Sequence, residues 1–293
     1  MRVRRNYSGA LEVFEQGEWG SLDEATAVIR EELAWLAPLK PISERGKLLP
    51  FQPKSFRDCT LFEKHWIQSS RGYARRFLPG AYKITSWYEK LIGKPFPAFK
   101  PHKLAYQEPI YYFGNHMNFV TTGSEVKFPS YSRALDYELE LGVVLKGSLF
   151  NTSPQESLAA IGGLVVINDW SARDVQREEM RSGFGPQKSK HFLSAMSHEM
   201  VTYDDRSTSI DDLTGRVKIN GNVVAETNTQ GMMHSIGEVL SHLSKDEHLH
   251  PGELIATGTL PNGTAMENGN WVKVGDEIQL EIDGVGQLVQ KIV

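Results

Sequence analysis

Three acidic residues alternate with apolar residues in one short stretch of the chain. Asp136, Glu138 and Glu140 occupy every second position, with Tyr137 and Leu139 between them. A period of two predicts a β-strand that carries all three carboxylates on one face, with neighbouring acids about 6.6 Å apart at a rise of ~3.3 Å per residue. In a cleft, a hard divalent cation with oxygen ligands would offset their repulsion. On a wet sheet face, the same acids would serve solubility alone.

The composition is that of an ordinary globular protein, either one large domain with an appendage or two domains. The 293 residues are 40% hydrophobic and 23% charged. A net charge of −4 from 32 basic and 36 acidic residues gives no basic footprint, so no nucleic-acid partner is expected. The single cysteine, Cys59, excludes an internal disulfide and is expected to be a small buried side chain.

The sequence also bears on membranes and on the cellular compartment. No apolar run reaches the ~18 residues needed to span a membrane. Arginines occur early in the chain, but no apolar core of a secretory signal follows them. These features predict a cytoplasmic protein with no membrane partner.

Local signals divide the chain into a small N-terminal module at 1–50 and a larger domain at 51–293. Within the larger domain, residues 57–92 are mostly helical in pattern and are expected to form a lid or insert. After residue 110, β signals dominate. The order of signals therefore predicts helices that precede a β-rich core.

Short motifs predict where several elements begin and end. Ser21-Leu-Asp-Glu24 has the form of a capping box and predicts a helix that continues to Leu36 and ends at Pro38. Ser153-Pro-Gln-Glu156 is a second capping box with proline at the first helical position. Asn220-Gly221 lies between two β-rich runs and predicts a tight hairpin.

A second group of polar residues follows a buried strand. The apolar run Leu164–Ile167 leads into Asp169, and Ser171-Ala-Arg-Asp174 then has the form of a helix start. Arg173 and Gln176 lie three residues apart on this helix, so they share a face, and the helix N-terminus favours an anion such as a carboxylate substrate. The alternative is structural, with Asp169 capping the turn and Arg173 forming a surface ion pair.

Five features of the sequence stand out together. They are Asp136-Tyr-Glu-Leu-Glu-Leu-Gly, Asn168-Asp-Trp-Ser-Ala-Arg-Asp-Val-Gln176, Gly185-Pro-Gln-Lys-Ser-Lys-His-Phe192, Gly258-Thr259 and the spacing of Asp58 and His65. These motifs resemble those of the fumarylacetoacetate hydrolase family over roughly residues 56–293. The resemblance implies a mixed α/β, β-rich fold with a rolled, sandwich-like β core of the fumarylacetoacetate hydrolase type after a small N-terminal module, and usually a homodimer.

The resemblance implies a divalent metal held by carboxylates. Carried onto this sequence, the ligands are Asp58, Glu138, Glu140 and Asp169, which leaves Asp136 outside the metal's ligands. Oxygen ligands favour Mg²⁺ or Ca²⁺, with Mn²⁺ possible, over zinc.

The resemblance also implies catalytic residues. His65 is the expected base, with Glu267 as the carboxylate that orients it, although Glu63 is a competing partner close in sequence. Lys190 matches the family's substrate-binding lysine, and Lys188 is expected to be a solvated surface residue.

The expected substrate-binding residues are Arg173, Gln176, Thr259 and Tyr112, with Tyr111 as an alternative to Tyr112. Together the implied roles predict a hydrolase that cleaves a C–C bond of a 2,4-diketo acid, such as an acylpyruvate or a fumarylacetoacetate-like compound, as in aromatic catabolism. The small-molecule partner is thus a dicarbonyl acid. Decarboxylation, isomerisation or dehydration of a keto acid would use the same site, and a metal-stabilised protein without catalysis is the alternative of another class.

Overall fold

The computed structural model describes residues 1–36, 47–204 and 209–293. Strands outnumber helices in these ranges. The strands are β1 (Arg2–Arg5), β2 (Leu11–Glu15), β3 (Glu18–Ser21), β4 (Phe56–Cys59), β5 (Tyr111–Phe113), β6 (Phe119–Thr121), β7 (Glu125–Val126), β8 (Leu135–Asp136), β9 (Leu139–Leu145), β10 (Ile161–Asn168), β11 (Ser171–Ala172), β12 (Ser194–Met196), β13 (Glu199–Thr202), β14 (Thr214–Ile219), β15 (Asn222–Asn228), β16 (Leu254–Ala256), β17 (Glu277–Ile282) and β18 (Gly286–Ile292). The α-helices are α1 (Ala27–Glu32), α2 (Glu63–Phe77), α3 (Pro79–Ile92), α4 (Pro154–Leu158), α5 (Arg173–Arg181), α6 (Ile236–Leu243) and α7 (Ala265–Asn268).

Two sheets pack face to face and form the core. The larger sheet runs in the order β3-β2-β1-β13-β10-β9-β16-β4-β5, and β12 and β6 join it beside β10. The second sheet runs β15-β14-β17-β18-β7, and its β17 and β18 pack against β9 and β10. Every residue of β9 and β10 is buried, whereas β17 alternates buried and more exposed positions. Central strands covered on both faces carry continuous apolar runs, so the predicted β-rich, sandwich-like fold is confirmed.

The N-terminal residues extend the larger sheet. Strand β1 pairs antiparallel with β13, so residues 1–36 are joined to the rest of the chain by main-chain hydrogen bonds. Whether 1–50 is a separate unit stays a prediction. The expected long helix is wrong in its bounds, because Ser21 caps only a short 3₁₀ turn and the hydroxyl of Thr26 caps α1, which ends at Glu32. Pro38 lies outside the described residues.

Residues 57–92 are helical over α2 and α3, as expected, but not at their start. Phe56–Cys59 form a fully buried strand that pairs in parallel with β16 and antiparallel with β5. Pairing on both edges in the sheet outweighs the local helical pattern here. Asp58 is therefore fixed on a central strand, while His65 lies on the helix that follows.

The acidic stretch is interrupted rather than forming one strand, so the expected continuous strand is wrong. Strand β8 ends at Asp136 and β9 begins at Leu139. Between them, the amide of Glu138 donates to the side chain of Asn168 at 3.0 Å instead of to a ladder partner. The break gives Asp136 and Glu138 different surroundings, both fully buried.

Several local predictions are confirmed. Ser153 and Glu156 form a reciprocal capping box at α4, and Asn220-Gly221 joins the paired strands β14 and β15. Cys59 is a free, buried thiol. Among the described residues, no helix has the length and apolar character needed to cross a membrane.

Candidate active site

A cleft of about 570 Å³ opens between the helical insert and the edge of the β core. Its floor carries Asp58, Glu138, Glu140 and Lys190, and Asp169 lies buried directly behind Lys190. Three of these acids come from, or directly follow, strands of the larger sheet: β4, β9 and β10. The sheet thus brings together side chains that are distant in sequence.

Lys190 lies among the carboxylates. Its Nζ donates to Oδ2 of Asp169 at 2.6 Å and also to Oε2 of Glu138. Burial alone would lower the pKa of Lys190, but the carboxylates of Asp169 and Glu138 raise it above its ordinary value. Lys190 therefore carries its positive charge at neutral pH and serves as a hydrogen-bond donor, not as a base.

Arg173 lies at the start of α5 and fixes the carboxylate of Glu138 from the other side. Its Nη2 donates to Oε1 of Glu138 at 2.5 Å, its Nε to Asp136 at 2.8 Å and its Nη1 to Gln176 at 2.9 Å. Although burial opposes ionisation, Arg173 and Lys190 lower the pKa of Glu138 to about 2. The predicted shared face of Arg173 and Gln176 is confirmed, but this guanidinium is engaged by protein groups.

Among the described residues, no cationic side chain donates a hydrogen bond to Asp58 or Glu140, and the charge of Lys190 only partly offsets the effects that raise their pKa values. Burial, followed by repulsion from neighbouring acids, raises the pKa of both carboxyls well above their ordinary values. The hydroxyl of Thr259 donates to Glu140 Oε1 at 3.3 Å. Thr259 can reach this position because Gly258 has a φ of +79° and passes so close to β4 that a Cβ would lie 2.4 Å from the carbonyl oxygen of Cys59.

The donor set fits a hard divalent cation in its chemistry. In the described part of the chain, the buried atoms Asp58 Oδ1 and Glu140 Oε2 have no hydrogen-bond partner, and oxygen donors suit Mg²⁺, Ca²⁺ or Mn²⁺. Across these same ranges, no three acidic, histidine or cysteine side chains already stand in an arrangement that would hold a metal ion. A bound cation would compete with the ammonium of Lys190 for the oxygens of Glu138 and Asp169.

His65 reaches the cleft from α2 and is paired with Glu267 of α7. Nδ1 of His65 lies 3.3 Å from Oε2 of Glu267, and Nε2 lies 3.5 Å from the hydroxyl of Ser69. Burial raises the pKa of Glu267 against the opposing effect of His65. The competing partner Glu63 instead accepts a hydrogen bond from Tyr106 at 2.6 Å, so the geometry favours Glu267.

Tyr112 orients Asp169. Its hydroxyl donates to Oδ2 of Asp169 at 2.7 Å, and Ser194 donates to Oδ1 at 3.0 Å. Burial and the nearby Asp169 and Asp58 raise the pKa of Tyr112 well above its ordinary value, so it acts as a donor. Tyr111 also lines the cleft.

The structure thus brings most of the predicted site residues to one place. Lys188 is exposed, as expected, and stands over the ring of Tyr131. Ser171 does not cap α5, whose first turn has no side-chain cap, because its hydroxyl donates to the carbonyl of Asp169. Ser171 belongs to strand β11. The sequence signal therefore located the start of α5 but assigned the capping role to the wrong residue.

Sequence reasoning missed the outer walls of the cleft. Ser69 and Tyr73 of α2 line one wall, and Arg177 and Arg181 of α5 line the other. Each lies four or eight residues after His65 or Arg173. Because residues four apart share a face of a helix, this spacing was the signal that could have identified them.

Comparison with known proteins gives the family. The model of the fumarylacetoacetate (FAA) hydrolase C-terminal domain matches residues 92–293. The mitochondrial oxaloacetate tautomerase FAHD1 of Homo sapiens is 30% identical over 185 residues, which are 63% of this chain and 81% of that protein.

Two solved structures share the fold. The 5-carboxymethyl-2-hydroxymuconate delta-isomerase from Mycobacterium smegmatis has a TM-score of 0.69 at 19% identity, covering 100% of this chain and 98% of its own. Fumarylpyruvate hydrolase from Pseudomonas aeruginosa, solved with Mn²⁺ and pyruvate, has a TM-score of 0.62 at 19% identity, covering 88% and 98%.

The names of these proteins state different reactions, and the Pseudomonas aeruginosa structure contains Mn²⁺. The family match includes Glu138, Glu140, Asp169 and Lys190 but begins after α2. With a family model matched over most of its length, this chain belongs to the fumarylacetoacetate hydrolase family.

Proposed function

We propose that this protein is a divalent-metal-dependent hydrolase that cleaves a C–C bond in a 2,4-diketo acid of the acylpyruvate or fumarylacetoacetate type. The observation that carries the proposal is the pair of His65 and Glu267, with Nδ1 and Oε2 separated by 3.3 Å. His65 lines the cleft that also contains Lys190 and the acids. A general base and a buried ammonium in one cleft are what a water-consuming cleavage requires.

His65 is the base that activates water. Glu267 faces Nδ1 and thereby favours the tautomer with its proton on that nitrogen, which leaves Nε2 directed to the cleft as the acceptor. The carboxylate also stabilises the imidazolium that forms when His65 takes a proton from water. Ser69 is placed to hold such a water molecule, since its hydroxyl lies 3.5 Å from Nε2.

Hydrolysis of the C–C bond needs one water molecule, and the proton that His65 takes from it is returned to the product. The water oxygen forms a bond to the distal carbonyl carbon, and His65 receives the proton. The C–C bond then breaks, its electron pair passes to the departing carbon as an enolate, and the acyl part leaves as a carboxylic acid. Lys190 donates a hydrogen bond to the developing enolate oxygen, and the proton held by His65 returns to the departing carbon.

Asp58, Glu138, Glu140 and Asp169 would hold the cation. When bound, a divalent cation supplies Lewis-acid polarisation of the substrate's carbonyl oxygens. Arg173 and Tyr112 keep Glu138 and Asp169 oriented, and Thr259 does the same for Glu140. Arg173, Gln176, Thr259 and Tyr112 each already have a protein partner. Contact with the substrate would therefore add to these hydrogen bonds or replace one of them. We propose Mg²⁺ or Ca²⁺ as the metal, and Mn²⁺ would suit the same oxygen donors.

A second candidate is tautomerisation or decarboxylation of a keto acid without attack by water. It is favoured by the relative FAHD1, an oxaloacetate tautomerase, and by the family match, which starts after α2 and so excludes His65. Lys190 and the acids would suffice for enolate chemistry. The two candidates therefore differ in whether His65 is needed.

The test is product analysis with variants of α2. With Mg²⁺ and an acylpyruvate, we expect two acids as products, and His65→Ala should lower kcat by about 10²–10⁴-fold, the range of general-base catalysis. Magnesium affinity, measured by calorimetry, should stay unchanged. Lys64→Ala is the matched control, because Lys64 is exposed on the same turn of α2. Full activity of His65→Ala would reject the base and favour the second candidate.

A homodimer and a cytoplasmic location are further proposals that rest on the resemblance and on the sequence. Analytical ultracentrifugation and localisation of the tagged protein would test them.

A further inference from the structure

The loop that carries Lys190 has no regular structure of its own. Residues 182–193, which link α5 to β12, contain turns but no helix or strand. Lys190 is nevertheless 4% exposed, and its ammonium contacts two acids of the cleft floor. Because no helix or strand ladder fixes the backbone of this loop, other groups must set the position of the ammonium.

Glu179 of α5 holds this loop from outside. Its carboxylate accepts hydrogen bonds from the amides of Gln187 at 2.7 Å, Lys188 at 2.9 Å and Ser189 at 3.1 Å. The hydroxyl of Ser189 donates to the same carboxylate at 2.6 Å. Four donors from the three residues directly before Lys190 therefore converge on one side chain.

These contacts require the ionised form of Glu179. Burial opposes ionisation, but the hydroxyl of Ser189 and the three amides lower the pKa of Glu179 below its ordinary value. At neutral pH, Glu179 is therefore an anion that only accepts hydrogen bonds. Hydrogen bonds to a charged group are about twice as strong as neutral ones, so the carboxylate is a firm anchor for the loop.

The carbonyl groups of the loop are bound as well. The carbonyl oxygen of Lys188 accepts a hydrogen bond from the hydroxyl of Tyr131 at 2.6 Å. The carbonyl oxygen of Ser189 accepts one from the amide of Ala172 at 2.8 Å. Ala172 directly precedes α5 and Glu179 lies within it, so the loop is attached to the same helix at two points.

The same helix also places the other cation of the site. Arg173, at the start of α5, donates to Glu138 at 2.5 Å, and Lys190 donates to the second oxygen of that carboxylate. Glu179 lies six residues after Arg173, about 9 Å along the axis at a rise of ~1.5 Å per residue. One helix therefore sets both of the cationic groups that flank Glu138.

We propose that Glu179 is the positioning residue that keeps the ammonium of Lys190 in the cleft, where it pairs with Glu138 and Asp169 and donates to the enolate oxygen of the substrate. The last of these roles rests on the proposed function, whereas the contacts of Lys190 with the two acids do not. The residues that line the cleft do not include Glu179, so it acts through Lys190 and not on the substrate.

Glu179→Gln tests the positioning because it keeps the shape of the side chain and removes its charge. The new amide has one acceptor atom, and its nitrogen would face backbone donors. With Mg²⁺ and an acylpyruvate, kcat should fall on the order of tenfold, with little change in KM, because the enolate develops only in the transition state. Glu178→Gln is the matched control, because it removes the same charge from the next residue, whose pairs with Arg177 and Arg181 are exposed.

Magnesium affinity gives a readout that does not depend on turnover. A bound cation competes with the ammonium of Lys190 for oxygens of Glu138 and Asp169, so a displaced ammonium should let Mg²⁺ bind more tightly. By calorimetry, Glu179→Gln should raise the affinity on the order of tenfold and should add nothing in a Lys190→Met background. Ser189→Ala removes one of the four donors, so it should cause a smaller change in the same direction, and it provides the test if Glu179→Gln does not fold.

The outcomes separate the two proposals. Unchanged kcat and magnesium affinity in Glu179→Gln, weaker magnesium binding, or an equal gain in affinity with and without Lys190 would overturn the role of Glu179 while the hydrolase stands. A gain that requires Lys190, in a protein whose wild type does not cleave the substrate, would keep the positioning role and overturn the hydrolase. Slower turnover with tighter magnesium binding in Glu179→Gln, and neither change in Glu178→Gln, is the result we expect.

Discussion

Replacing Lys190 by methionine should destabilise the protein in the absence of metal and make it more dependent on metal. The substitution removes the ammonium that contacts both Asp169, at 2.6 Å, and Glu138. Methionine fills a similar volume without the charge. Two buried carboxylates then lose their common cationic partner.

The size of the effect follows from what each acid retains. Glu138 keeps the guanidinium of Arg173 at 2.5 Å, and Asp169 keeps the hydroxyls of Tyr112 at 2.7 Å and Ser194 at 3.0 Å. The loss should therefore lie near the lower end of the ~3–5 kcal/mol found when one partner of a buried ion pair is removed. About 3 kcal/mol corresponds to a fall in Tm of about 6–12 °C for a chain of this size.

The loss of stability in Lys190→Met should be larger at neutral pH than in acid. The depressed pKa of Glu138, about 2 against an ordinary 4.5, contributes stability that is fully present above 4.5 and is lost as the pH falls toward 2. Lys190 supports this depression, so the difference between wild type and Lys190→Met should be greatest at neutral pH and shrink in acid.

Thermal unfolding in chelator and in excess magnesium measures the effect. Because a cation can replace the ammonium among the acids, magnesium should raise Tm more in Lys190→Met than in the wild type, although turnover is lost. Lys188→Met, at an exposed position two residues earlier, is the control. If Lys190→Met is as stable as the wild type in chelator, or gains no more from magnesium, the competition between Lys190 and a cation is refuted.

Two further predictions concern the uncompensated acids and the helix that carries the base. Burial and neighbouring acids raise the pKa values of Asp58 and Glu140 in the folded protein. The metal-free protein should therefore lose stability as the pH rises above their ordinary pKa values, by at most ~1.4 kcal/mol per pH unit for each carboxyl. Urea unfolding of Asp58→Asn and Glu140→Gln should show a free energy of unfolding that varies less with pH, and an unchanged pH dependence would contradict this. Gly72→Ala should cost ~1–3 kcal/mol and lower kcat, because its Cβ would lie 1.6 Å from the carbonyl oxygen of Met266 and push α2 away from α7. Gly80→Ala, with no atom within 4 Å, should instead gain ~0.5–1 kcal/mol, and equal effects at the two glycines would refute the packing argument.

Much of the fold could be predicted from local signals. The capping box at Ser153 and the hairpin at Asn220-Gly221 are confirmed because their hydrogen bonds involve residues within a few positions. The strand at 56–59 was missed because its pairing partners are distant in sequence, and a local pattern does not contain them.

The sequence predicted which residues belong to the candidate site better than it predicted the contacts between them. Motifs identified the acids, Lys190 and His65, since the residue types themselves indicate the chemistry. They did not reveal that Arg173 is bound by Asp136 and Glu138, nor that Lys190 stands between two acids. Those contacts depend on the break before β9 and on the packing of α5, which only the folded chain defines.

The most direct test of the account is cleavage of a 2,4-diketo diacid in water labelled with heavy oxygen, with magnesium and either wild type or His65→Ala. We predict two acids in equal amounts, with label in the carboxyl group newly formed from the distal carbonyl, and cleavage by the variant that is slower by about 10²–10⁴-fold. An intact carbon chain after tautomerisation, release of carbon dioxide, or labelled cleavage by His65→Ala at the wild-type rate would contradict the account.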